Sequence, residues 1–510
     1  MGDLSPALRA YCDLQVPEVR EYSGRHEYDG KVQDLSPAGV RSGLAALAAG
    51  AAVSHPVGDR YDEAQLATFV RRTEVEYSEL ELHRRNPIYH LMNLDLSGYD
   101  RDYAPAVERD AARNAHLAAW PDAIDGALSA LDLINAPVAQ ALSSAIAGLA
   151  AGIPADADED VRSRALAAHA RLVDRLERAA ASGDPDPALG ATALSLLLSS
   201  SEALPVDLGG LAERADAERD RLLARLAESC AAIDANRPPL EVARDLVREH
   251  PDASGVISAA RAWTERAIQF TRDRDLVPYN DGECLVGPAP ESRRFAMAMI
   301  SPAAPGEPDA PSLYYITPPD PSWPQDQQEE WLEVFSDTTL PGITVHEVAP
   351  GHFSHSRAIR RVGTDVRRVL HSNAFVEGWA HYAEELCVEE GFLEDDPRFA
   401  IGIWLEALIR VTRLACSIGV HSAGMSVAEA ARRFETDTHI SGPAALSEAR
   451  RATFDPSYGR YTWGKLEIMA LRDRARREWG AGFTLRRFHA AMFSLGSPAL
   501  GLLGTAVEAG

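Results

Sequence analysis

Apolar positions recur at helical spacing along most of the chain. Between residues 104 and 135, Leu117, Ile124, Leu128 and Leu131 form an apolar stripe broken by charges, the pattern of an amphipathic helix. Pro121 within that stretch predicts a kink or the start of a second helix. Residues 158–181 and 211–233 repeat the style, with Arg, Asp and Glu on outer faces that read as solvated surface. Residues 182–187 and 236–239 punctuate these helices. The pattern then changes: eleven prolines fall from Pro278 to Pro324, and residues 312–317 (Ser-Leu-Tyr-Tyr-Ile-Thr) are aromatic and β-branched. That region predicts irregular structure with one or more strands. Helical patterning returns from about Gln325. The expected fold is mainly α with a minor β element. It divides near 270 into a helical N-terminal half, 1–270, and a catalytic-looking half, 271–510, which together flank a cleft.

Composition narrows the function classes. The 510 residues are 46% hydrophobic and 25% charged, ordinary for a globular protein with a substantial core. The formal charge of −25 argues against nucleic acid as a partner, because a phosphate backbone meets net repulsion. Five scattered cysteines (Cys12, Cys230, Cys284, Cys387, Cys416) contain no Cys-x-x-Cys pair, so neither a disulfide framework nor a thiolate zinc site is expected. The N-terminal Met-Gly-Asp-Leu-Ser-Pro lacks a basic stretch followed by an apolar run, the mark of a secretory signal. The most apolar long stretch is interrupted by Asp132, Asn135, Pro137 and Gln140, short of the roughly 20 apolar residues a membrane span needs. These features predict a cytoplasmic protein that uses neither a membrane nor a nucleic acid. They leave oligomeric state open.

The most informative segment is Thr344-Val-His-Glu-Val-Ala-Pro-Gly-His352. A His followed at once by Glu, with a second His nearby, suits a zinc hydrolase: imidazole binds metal while the adjacent carboxylate serves a water as general base. The common HExxH spacing puts both His on one helical face. His346 and His352 are six apart, which on an unbroken helix leaves them about 120° apart. Pro350 and Gly351 allow a bulged or kinked turn that would return His352 to the metal. The competing reading is a pair of histidines capping or packing near a helix end.

The second segment is Phe375-Val-Glu-Gly-Trp-Ala-His-Tyr-Ala-Glu-Glu-Leu386, whose Glu377, His381 and Glu384 share one helical face at i, i+4 and i+7. Beside apolar Phe375, Trp379 and Leu386 they read as an inward polar stripe. Glu377 becomes the candidate third ligand, and Gly378 marks a place where a backbone or substrate approaches closely. Glu385, Glu389 and Glu390 read as a solvated face. A ferritin-like di-iron site is excluded, because no Glu-x-x-His occurs in the chain.

His-Glu-x-x-Pro-Gly-His followed by Phe-x-Glu-Gly-Trp-x-x-Tyr-x-Glu-x-Leu resembles the bacterial domain of unknown function 885, a largely helical family grouped with gluzincin-like zinc metallopeptidases. The resemblance runs from about Ser312 to Ala475, taking in Tyr314, Tyr315, the segment 410–421 and Tyr461-Thr-Trp-Gly-Lys465. It is weaker in the first half, where only 116–136 matches. It implies a Zn²⁺ cofactor held by His346, His352 and Glu377, with Glu347 as general base. It further implies Tyr461 as a donor to the oxyanion and His421 as a substrate or transition-state contact. Arg472 or Arg410 would receive a substrate carboxylate, unless each is an interhelical salt bridge. Three positions depart from the family pattern. His355 follows His352 by three residues and could compete as a ligand, Ser417 stands where an Asp is usual, and Met425 replaces a Trp.

The resulting expectation is a zinc metallohydrolase that cleaves an amide or peptide bond in a peptide or small amide substrate. A zinc enzyme acting on a small metabolite, and a non-catalytic helical binding protein with a decayed site, are the alternatives.

Overall fold

The computed structural model describes residues 4–53, 55–279, 281–290, 293–294, 296–307 and 310–509. It is mainly α, with one small sheet. In the first half, Ala106–Ala130 lies against Glu159–Ser182, and Leu117, Trp120, Ile124, Leu172 and Leu176 are buried between them. Pro121 sits inside one continuous helix rather than dividing it. Asp158 and Asp207 cap the helices Glu159–Ser182 and Leu208–Asp234 by accepting from the first free backbone N–H groups, which is why both begin where they do.

The largest core draws on both sides of residue 270. Leu222 and Leu226 of Leu208–Asp234 join Trp404, Leu405, Leu408 and Val411 of the helix Pro397–Ser422. The segment expected to hold a strand carries three. These are β1 (Cys284–Pro288), β2 (Ala298–Ser301) and β3 (Ser312–Ile316), in the order β1-β3-β2. β1 runs parallel to β3, and β2 antiparallel to it with Ile300 opposite Tyr314. Tyr314 and Ile316 pack with Val256 and Ala260 of the helix Val256–Asp273, and with Leu340 and Val348 beside the histidine motif.

Two helices carry the second motif and its partner. Asn373–Glu389 and Arg460–Trp479 meet backbone to backbone, since a Cβ placed on Gly378 would stand 2.5 Å from the Gly464 Cα. Below that contact lies an ion network. Buried Lys465 reaches Glu385 at 2.5 Å and Glu218 at 3.1 Å, and Arg221 bridges the same two carboxylates at 2.7 Å each. Glu385 is therefore an interior residue, not part of a solvated face, because two cations from other helices supply what water would have supplied. Replacing Lys465 by Met removes one of those cations and is expected to destabilise the fold by about 3–5 kcal/mol, the cost of unpairing buried charge. Denaturant titration measures it, and a change below about 1 kcal/mol would contradict this account.

Glu202, at the end of Ala191–Glu202, accepts bonds from the Ser372 hydroxyl (2.8 Å) and the Leu500 N–H (3.0 Å). Burial raises its pKa to about 7, although both bonds favour the ionised form. A carboxyl with a raised folded pKa stabilises the protein most below its unfolded value near 4.5, and that stability is lost as pH rises towards 7. Glu202→Gln should flatten this part of the stability profile, which melting temperatures from pH 4.5 to 8 will show. An identical slope in both proteins would refute the assignment.

Candidate metal centre

The helix Leu340–Glu347 stops just after its histidine, and the backbone turns through Val348 at φ −109°, ψ −93° before a new helix starts at His352–Ile359. The Gly351 N–H donates to the Val345 carbonyl at 3.1 Å. A side chain at Gly351 would overlap the His346 carbonyl, so the turn requires glycine there. Trp379 reaches across from Asn373–Glu389 and donates its indole N–H to the Pro350 and Gly351 carbonyls at 3.0 and 3.2 Å. The break brings the two imidazoles together, with ring centres 4.7 Å apart and planes at 88°.

Glu377 completes the group. Its Oε2 lies 3.5 Å from His346 Nε2 and 3.4 Å from His352 Nε2. Among the described residues, this is the cluster whose ligand atoms, one from each residue, all fall within 4.8 Å of one another. On the far side of His346, Nδ1–H donates to Glu384 Oε1 at 2.6 Å, which turns Nε2 towards Glu377. The second Glu384 oxygen accepts from His381 Nδ1 at 2.9 Å and from Arg410 at 3.0 Å. Burial opposes ionisation of Glu384, but Arg410, His381 and His346 outweigh it and hold its pKa well below the usual range. Burial and Arg410 lower the His346 pKa, yet Glu377 and Glu384 lift it to about 9, so the cluster as a whole favours a positive charge.

Two further expected residues stand beside the triad. Tyr461 lies with its ring 6.4 Å from His346, and the guanidinium groups of Arg413, Arg460 and Arg410 are 5.4, 5.7 and 5.9 Å from its ring centre. Glu347 is half-buried and accepts the backbone N–H of Ile300 on β2 at 2.9 Å.

The remaining expected residues have other partners. Arg472 pairs with Glu389 at 2.6 and 2.9 Å between helices. Arg410 donates to Glu384 at 3.0 Å, the interhelical pair expected as its alternative role. His421 has both ring nitrogens engaged by backbone, Nδ1 accepting from Leu189 N–H at 3.4 Å and Nε2 donating to Ala452 at 2.8 Å. Burial lowers its pKa to about 4. His355 donates to the Gly496 carbonyl at 3.1 Å and packs on Phe375 and Phe493, away from the triad. Ser417, at the departed Asp position, donates to the Pro456 carbonyl at 2.6 Å.

The first half supplies what sequence reasoning could not name. A cavity of about 1300 Å³ lies between the halves, walled by Tyr22, Tyr89, Met92 and Leu133 on one side and by Asn373, Ala374, Arg460 and Trp463 on the other. Asn373 and Ala374 lie one turn before Glu377, Arg460 precedes Tyr461, and the Glu377 charge acts on both Tyr22 and Arg460 of the wall, so the cavity lies near the triad, whose own residues do not line it.

These features define a mainly helical protein with a part-buried His-His-Glu cluster near an interhalf cavity. The chain belongs to the family described as bacterial protein of unknown function (DUF885), which matches residues 17–507. Its fold is similar to that of a "putative lipoprotein of unknown function" from Shewanella oneidensis, with TM-score 0.78, 18% identity and 99% of each chain covered. It is also similar to a "putative lipoprotein" from Colwellia psychrerythraea, with TM-score 0.80, 15% identity and 99% and 97% of the chains covered. No curated protein matches the chain. Among the described residues, no helix is long and apolar enough to cross a membrane.

Glu384→Gln keeps the size of the side chain and removes the charge that orients His346. If the triad takes up zinc, this variant is expected to bind it about 10- to 100-fold more weakly, the usual effect of losing such a support. Chelator competition measures this, and unchanged affinity would remove Glu384 from the metal centre.

Proposed function

We propose that this protein is a zinc-dependent hydrolase that cleaves an amide or peptide bond, with His346, His352 and Glu377 as ligands. One observation supports the reading: the Glu377 oxygen stands from both imidazole nitrogens at the separation that zinc ligands have. Tetrahedral ligands about 2.0–2.1 Å from zinc lie about 3.3–3.4 Å from one another, and the two imidazole nitrogens stand 3.5 and 3.4 Å from the Glu377 oxygen. Two nitrogens and one oxygen also match the donor set of catalytic zinc sites with an open position. Zinc, when bound, supplies Lewis acidity and makes water a nucleophile near neutral pH.

The chain's own residues do the rest. Glu347, next to a ligand and half-buried, takes the proton of the attacking water and passes it to the leaving amine. Tyr461 donates its phenol proton in a hydrogen bond to the oxyanion, and the three guanidinium groups around its ring favour the negative charge that develops there. The cavity of about 1300 Å³ exceeds the usual 300–1,000 Å³ of a small-ligand pocket, which leaves room for a sizeable group beside the amide that is cleaved. The five cysteines, none in a disulfide, support a reducing cytoplasmic setting, whereas the two structural neighbours are described as lipoproteins. Cell fractionation separates these.

Glu347→Gln should retain one zinc per chain by elemental analysis and lose at least about 100-fold in kcat against peptide substrates. Full activity in that variant, or no stoichiometric zinc in the wild type, would overturn the proposal.

A further inference from the structure

The cavity wall differs from the rest of the surface. Seven large hydrophobic side chains stay exposed among the described residues, and three of them, Tyr22 (46%), Met92 (41%) and Leu133 (38%), open into this cavity. Ile88 and Tyr89 extend the same lining, one helical turn from Met92 on Ile88–Leu94. Several charged groups on the wall are already engaged. Arg460 is held bidentately by Asp455 at 2.7 Å, Arg72 pairs with Glu76 at 2.9 Å, and Glu21 pairs with Arg293 at 2.6 Å. Beside these ion pairs the wall keeps apolar surface in contact with water inside a concavity. That arrangement marks a place where a ligand's apolar group replaces water. Its occupant follows from position, because Asn373 and Ala374 share both the wall and the helix that carries Glu377.

We infer that Tyr22, Met92 and Leu133 form a subsite for a large apolar group of the substrate, so that the amides this protein takes carry a long acyl chain or its equivalent. The inference rests on the hydrolase reading for the chemistry, but its recognition is separable from turnover.

The test uses full-length, zinc-loaded Glu347→Gln protein and calorimetric titration with N-acetylglycine and N-octanoylglycine. Each buried methylene adds about threefold to fourfold in affinity, so the octanoyl compound should bind at least about 100-fold more tightly. Leu133→Asp and Met92→Asp should each remove most of that difference while zinc content and melting temperature stay at the parent values. Val107→Asp, at an exposed residue outside the cavity, should leave it intact. Equal affinity for the two compounds, failure to bind the octanoyl compound, or indifference to the Asp substitutions would overturn the subsite. Turnover by the wild type separates the two ideas. Chain-length-dependent binding without hydrolysis of either compound's amide keeps the subsite and counts against the hydrolase. Hydrolysis that ignores chain length keeps the hydrolase and overturns the subsite.

Discussion

Everything at the candidate metal centre depends on how closely two helices approach. Gly378 and Gly464 let Asn373–Glu389 and Arg460–Trp479 touch through their backbones, and no side chain fits between them. Glu377 is the neighbour of one glycine and Tyr461 lies three residues before the other, so one contact sets the distance of both from His346. Lys465, also beside that contact, is sealed inside and must meet Glu385 and Glu218. Spreading the helices by one methyl group would shift a ligand, displace a donor and loosen an interior ion network together.

A second layer of order is electrostatic. Glu384 joins His346, His381 and Arg410, and so converts a flexible imidazole into one with a defined proton and orientation. Arg410 also faces the ring of Tyr461, which links the support of a ligand to the environment of the phenol. Interiors tolerate such charge only when each group has partners, and here they come from three separate helices.

Local features of the chain were the legible ones. Helices expected over 158–181 and 211–233 lie at Glu159–Ser182 and Leu208–Asp234, because capping and periodicity are written within a few residues. His346, His352 and Glu377 were nameable for the same reason, and the helix break at Pro350 and Gly351 was implied by those two residues. Partners far along the chain were not legible. Glu385 resembles a surface residue until Lys465 and Arg221 are placed beside it. Arg472 and Arg410 resemble substrate clamps until Glu389 and Glu384 occupy them. His421 resembles a catalytic imidazole until Ala452 and Leu189 take both nitrogens. Two of the three strands escaped notice because four- and five-residue strands among prolines carry almost no periodic signal.

The division of labour across the cavity has an evolutionary consequence. The His-His-Glu cluster and its supports come from residues beyond 340, whereas Tyr22, Met92 and Leu133 come from the first third of the chain and remain partly solvent-facing. Such side chains carry little of the packing that holds the fold. Drift at these three positions can therefore reshape the cavity wall while the His-His-Glu cluster and its scaffold are inherited unchanged.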